Sequence, residues 1–268
     1  MRKTLDVTLN EATHIYTDST NNRYDSVTTI LSNYKEKFDP YKITKDGLSL
    51  IANYVIKHGE TEEYWLEQWD MKRDKACEKG TAFHKIKEDV HNKLHQVERP
   101  KLFPVQDFQS IVDRNPGVDY SKLPNGSYRE LTLFNRRYMI AGQADNVIID
   151  DGYVDIDDDK TNGKFETHSF KPPRGTYRMM KVPLQRMMDC HLYHYTVQLS
   201  TYGWMLEQFG LKVRQLRLLH YTIMDEDEEK VLKGEPVNIE PELYIVNYEK
   251  EAVEAMIKNY TGVIRKRR

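Results

Sequence analysis

The chain has 268 residues, 39% of them hydrophobic and 31% charged, with a formal net charge of −2. That length allows one large domain or two small ones with a sizeable core, and the composition is globular rather than disordered. Its apolar runs fall short of a membrane span, and "MRKTLDVTLNEATH" lacks the apolar stretch of a signal peptide, so a cytoplasmic protein with no membrane partner is expected. Cys77 and Cys190 are too few for a disulfide framework or a four-thiolate iron–sulfur cluster.

In chain order, "HIYTDSTNNRYDSVTTIL" (14–31) predicts a short hairpin leading through Asp25 or Ser26 into a helix. Residues 44–95 are mostly helical in pattern, and "ACEKGTAFHKIKEDVHNKLH" (76–95) spaces Phe83, Ile86, Val90 and Leu94 by three and four, as an amphipathic helix does. "NPGVDYSKLPNGS" (115–127) is turn chemistry. Three strands are predicted next: "YRELTLF" (128–134), "YMIAGQADNVII" (138–149) and, after a three-residue turn at 150–152, "YVDIDDDK" (153–160). "HLYHYTVQLSTYGWMLEQFG" (191–210) reads as a helix stopped by Gly210, and "RQLRLLHYTIM" (214–224) as a further strand. With no repeat and no linker, this order predicts one mixed α/β domain over 1–268. It comprises a hairpin and helical region to residue 75, a core over 76–224, and a C-terminal extension from 225 ending in the basic "RKRR".

The stretch "DIDDDKTNGK" (155–164) holds four aspartates within five positions, which fits a metal site, a solvated turn or a strand with one wet face. Strand alternation points Asp158 and Lys160 one way and Asp155, Asp157 and Asp159 the other. Asp158 and Lys160 then offer a hard oxygen ligand beside an ammonium that can orient or deprotonate an attacking water. Asp145 is placed to converge on them from the neighbouring strand. The three reverse-face aspartates cannot be buried unpaired. They are expected to be solvated or to face cations supplied by "RRY" (136–138) or Lys164. Local basic stretches, "KPPRGTYRMMK" (171–181) and the tail, contrast with acidic 150–159 and 225–229, as suits a protein that holds divalent cations and touches phosphate.

The ordered set "GTAFH" (80–84), "ELTLFNRRYMIAGQAD" (130–145), "DDDKT" (157–161) and "QLSTY" (198–202) resembles the RecB-like branch of the PD-(D/E)XK nuclease superfamily. Within that branch it looks most like the phage, lambda-exonuclease-like enzymes, over roughly residues 14–224. The resemblance implies a restriction-endonuclease-like αβββαβ core with a mixed central sheet flanked by helices. It implies Asp145 and Asp158 as acidic ligands, Lys160 as catalytic lysine, His84 as a further metal ligand and the carbonyl of Asp159 as another. Glu130 takes a supporting position, with Glu88 one turn after His84 behind it. Gln198 and Tyr202 correspond to a motif that supports the lysine and contacts DNA. The sequence departs from the pattern at Asp157 and Asp159, where relatives carry apolar residues.

The expectation is therefore a Mg2+-dependent deoxyribonuclease, with Mn2+ able to substitute, acting as an exonuclease in phage-type recombination or repair in a bacterial cytoplasm. DNA contacts are expected from Lys171, Arg174, Tyr177, Arg178, Lys181 and Tyr202, against the plainer reading of a solvated loop. A homo-oligomer or a single-strand annealing protein is the expected protein partner. A structure-specific or single-strand endonuclease, a non-catalytic DNA-binding module and an RNA or nucleotide substrate stay open. No G-x-x-x-x-G-K-[ST] stretch is present, so any motor is a separate chain.

Overall fold

A computed structural model describes residues 7–10, 13–44, 47–94, 120–172 and 175–267, with backbone alone for 91–94. The opening hairpin pairs β1 (Thr8–Asn10) with β2 (Ile15–Thr17) and β2 with β3 (Arg23–Ser26). Ser26, rather than Asp25, caps α1 (Val27–Ser32), its hydroxyl accepting from the Thr29 amide. Then come α2 (Leu50–His58) and the long α3 (Glu62–Leu94). The strands β4 (Gly126–Asn135), β5 (Ile140–Asp150) and β6 (Tyr153–Lys160) form an antiparallel meander. Asp150 pairs with Tyr153, so the β5–β6 connection is the two-residue turn Asp151–Gly152, one residue shorter than expected. Both turn residues have positive φ (46° and 81°), the backbone a tight hairpin needs, which Gly152 adopts without strain.

Next are α4 (His191–Glu207), β7 (Lys212–His220), α5 (Asp225–Leu232), β8 (Glu242–Val246) and α6 (Lys250–Asn259). The mixed eight-stranded sheet runs β1-β2-β3-β5-β6-β7-β8, with β4 on the far edge of β5. One face buries Val147, Ile149, Val154 and Ile156 against Val197, Leu199 and Met205 of α4. On the other face, Phe83 and Ile86 of α3 pack with Tyr221 and Val231. The region after 224 is part of the sheet and core rather than an appendage. β8 pairs with β7, and Val253, Met256 and Ile257 of α6 join the main core. The basic tail is likewise tied down, since Arg265 pairs with Asp25 at 3.2 Å and donates to the Tyr138 carbonyl at 2.7 Å. No helix among the described residues is long and apolar enough to cross a membrane.

Candidate metal centre

The site arises from a fork in the sheet. β4 pairs with β5 along one edge from Ile140 to Ile149. The other edge of β5 pairs with β3 at Ile140–Ala141 and with β6 from Asn146 onward, leaving Gly142–Asp145 between them. Beyond Asp157, β6 leaves β5 and continues beside β7 alone. The amide of Asp159, freed from the β5 ladder, donates to Asp145 Oδ2 at 2.7 Å. Opposite Asp145, the β4–β5 ladder skips Glu130, which has φ +48°, a left-handed backbone rare in a non-glycine strand residue. The Gln143 side chain captures the Glu130 carbonyl at 3.1 Å.

α3 passes the open end of the fork. A Cβ on Gly80 would stand 3.4 Å from Thr161 Oγ1, so the small residue admits close approach there. One turn later His84 Nδ1 lies 3.6 Å from Asp145 Oδ2 and 3.8 Å from Glu130 Oε1. Ligand atoms of His84, Glu130 and Asp145 all fall within 4.8 Å of one another. Asp158 stands outside that trio, its Oδ2 held by Lys160 Nζ at 2.5 Å. The Lys160 ammonium also sits 4.7 Å from the centre of the Tyr195 ring.

The electrostatics are those of a nest of carboxylates short of positive charge. Burial and the nearby Asp145 push Glu130 up to about 8, and Oε1 of Glu130 is buried with no hydrogen-bond partner. Burial pushes Asp145 up to about 6, with Lys160 opposing and Asp159 adding. Asp158 rises to about 7, again through burial and Asp145 against the pull of Lys160. Burial opposes the charge of Lys160, yet Asp158 and Asp145 hold its ammonium above the ordinary lysine range. Burial and the cation of Lys160 push His84 below its usual value, leaving a neutral imidazole able to ligate. Two carboxylate oxygens and one imidazole, at spacings a cation could bridge and with an orphaned oxygen among them, fit a hard divalent ion such as Mg2+ or Mn2+.

α4 supplies the wall. Gln198 Nε2 donates to the Tyr202 hydroxyl at 3.0 Å, and neither is paired with Lys160. The lysine's neighbour on this helix is Tyr195, which the sequence reading missed although it lies three residues before Gln198, on the same helix face. Tyr202 is 2% exposed, so it does not offer a ring for stacking on bases, contrary to expectation. Its ring instead packs over Gly142, where an added Cβ would meet Tyr202 Cε1 at 2.6 Å. Beside this wall a cleft of about 320 Å3 is lined by Ser26, Thr28, Thr29, Gln143 and Gln198, among others.

The remaining expected residues are placed as follows. Asp159 turns its carboxylate away from the trio onto Arg129, so its side chain is not a ligand. Glu88 is half-buried, and its charge contributes to the upward push on Glu130. Lys171 lies over the Tyr177 ring at 5.1 Å, and Arg178 pairs with the buried Asp189 at 3.2 Å; Lys171, Tyr177, Arg178 and Lys181 are exposed on the loop before α4. Arg174 lies outside the described residues.

The reverse-face aspartates are buried, not solvated, and their cations come from elsewhere than expected. Asp155 takes Arg214 through two bonds of 2.8 Å, Asp157 takes Arg217 at 2.5 Å, and Asp159 takes Arg129 at 2.8 Å. Arg136 instead pairs with Asp18, and Lys164 with Glu166. Arg214 is the extra residue where the β6–β7 register shifts, and the bulge aims it at Asp155. No family model and no curated protein matches this chain.

Proposed function

We propose that the protein is a divalent-cation-dependent nuclease of the PD-(D/E)XK type, acting on DNA ends. The observation that carries this reading is the buried, cation-poor group Glu130, Asp145 and Asp158 beside Lys160, at the fork where two strands separate. The chain order α3–β4–β5–β6–α4–β7, matching an αβββαβ core, supports it.

His84, Glu130 and Asp145 would hold the ion, with Asp158 next to it. Once bound, a divalent cation there neutralises charge on the phosphate and makes water more acidic. Asp158 and Asp145 favour the ammonium form of Lys160. It orients the attacking water and offsets the charge that grows on the phosphate oxygens. The Tyr195 ring and Asp158 fix its ammonium. Lys171, Arg178 and Lys181 on the loop before α4 would track the sugar–phosphate backbone, with Tyr177 beside them.

The test is incubation with Mg2+ and linear duplex DNA, closed circular duplex DNA, or RNA of matched sequence. Degradation of the linear duplex alone is expected, with Lys160→Ala strongly impaired. Cutting of closed circles would replace the exonuclease reading with an endonuclease one. Equal degradation by wild type and Lys160→Ala would remove the assignment altogether.

A further inference from the structure

Directly behind the carboxylate group, on the opposite face of the sheet, lies a second polar cluster with no part in the chemistry above. Arg129 Nη2 meets Asp159 Oδ2 at 2.8 Å, with both side chains buried at 8% and 1% exposure. The Tyr221 hydroxyl accepts from Lys87 Nζ at 2.8 Å and lies in the same pocket as Asp159. These residues line a cavity of about 260 Å3. Three of the four sit close in the chain to a group in front. Arg129 precedes Glu130, Asp159 separates Asp158 from Lys160, and Lys87 follows His84 by one helical turn.

The sheet register gives this arrangement a mechanical meaning. Arg129 on β4 is level with Asn146 on β5, which is level with Asp157 on β6. Arg129 thus reaches behind β5 to Asp159, across two interstrand spacings or about 10 Å. It does so where the β5–β6 ladder has ended. Among the described residues, β6 at Asp159 is joined to the β4–β5 hairpin by two bonds. In front, the Asp159 amide holds Asp145 at 2.7 Å; behind, Arg129 holds the Asp159 carboxylate.

We infer that Arg129 and Asp159 are positioning residues, a tie across the back of the fork that sets the spacing of the carboxylates in front. This rests on reading the front cluster as a cation site. The tie acts through Asp159: with its side chain pinned behind, its backbone amide is held in line with Asp145, and Asp158 and Lys160 on either side are fixed with it. Aspartate at a position where an apolar residue would suffice for burial is then explained, because an apolar contact has no preferred length or direction, whereas a guanidinium–carboxylate bond has both.

Three measurements test this on the metal-free protein and on Mn2+ binding: amide hydrogen exchange at Asp159, calorimetric Mn2+ affinity, and the melting temperature. In Arg129→Met the Asp159 amide is expected to exchange faster relative to the core amide of Ile156. Mn2+ affinity is expected to fall by about 10- to 100-fold, the usual cost of losing a partner behind a metal ligand. Arg129→Lys, which keeps a donor, and Asp159→Asn, which keeps an acceptor, should each recover most of both. Unchanged exchange or unchanged Mn2+ affinity in folded Arg129→Met overturns the inference, even if the melting temperature drops. If Arg129→Met does not fold, Asp159→Asn decides: loss of both properties there means that charge, not the tie, matters. If wild type binds no Mn2+, the cation-site reading fails on its own, and Asp159 exchange in the variants still shows whether the tie holds the strand.

Discussion

β6 presents aspartate on both of its faces, and the two faces treat it in opposite ways. Behind, Asp155, Asp157 and Asp159 each meet an arginine from β7 or β4, so a run of buried charge is matched one for one. In front, Asp158 has Lys160 alone, while Asp145 and Glu130 face each other and a neutral imidazole. The reverse face is complete without help. The front face lacks positive charge, and burial raises all three of its carboxyls toward neutrality. An excess of acid in a sequence therefore does not locate a site; an excess left unmatched after folding does.

That contrast can be broken most severely from the front. Lys160→Ala should lower single-turnover cleavage of end-labelled duplex DNA by about 10²- to 10⁴-fold, the span of a positioned proton-handling or charge-handling group. Asp145→Asn removes a proposed ligand and weakens the acceptor for the Asp159 amide. Its Mn2+ affinity in calorimetry should fall by about 100-fold or more, beyond the usual loss from a partner one shell out. A preserved affinity would place the ion elsewhere.

Away from the Arg129–Asp159 tie, changes behind should cost stability instead. Arg217→Met leaves Asp157 with Asn146 alone and should lower the unfolding free energy in urea by about 2–3 kcal/mol, under the full figure for a buried pair because Arg217 is partly exposed. Glu130→Gln, by the same measurement, should raise the urea midpoint of the metal-free protein while abolishing cleavage, because Glu130 is buried against Asp145 with no lysine or arginine among the described residues paired to it. If both substitutions destabilise alike, the two faces do not differ as argued. Gly142→Ala forces the buried Tyr202 ring aside and should cost about 1–3 kcal/mol, as overpacking does.

The smallest effect is in pH. Glu130 (about 8) and Asp158 (about 7) bind protons more tightly folded than unfolded, so metal-free stability should fall as pH rises from 6.5 to 8. Below that window the histidines oppose it. Burial depresses His84 and His191, and His194 to about 4, so the unfolded chain takes up more protons on them and stability rises with pH there. Saturating Mn2+ should flatten the fall above 6.5 in thermal melts, because the ion replaces the protons.

The sequence by itself determined the order of elements from the opening hairpin to β7, the β4–β6 meander and the direction of every aspartate on β6, but not α5, β8 and α6 beyond residue 224. What it determined follows from local rules: alternation on a strand, turn-forming residues between strands, and three-to-four spacing on helices. The resemblance to the nuclease family, rather than any local rule, brought Glu130 into one short set of candidates with Asp145 and His84, giving Glu130 a supporting place and Asp158 a ligand's. Only the tertiary structure decided which cation meets which aspartate. Arg129, Arg214 and Arg217 lie 30, 59 and 60 residues from their partners, and nothing local links them. It also decided that Tyr202 is a wall and Tyr195 the lysine's neighbour, since both lie on one helix face and only the packing against β5 and β6 tells them apart. Strand period fixes where a side chain points. What it finds there depends on strands and helices that arrive from far along the chain.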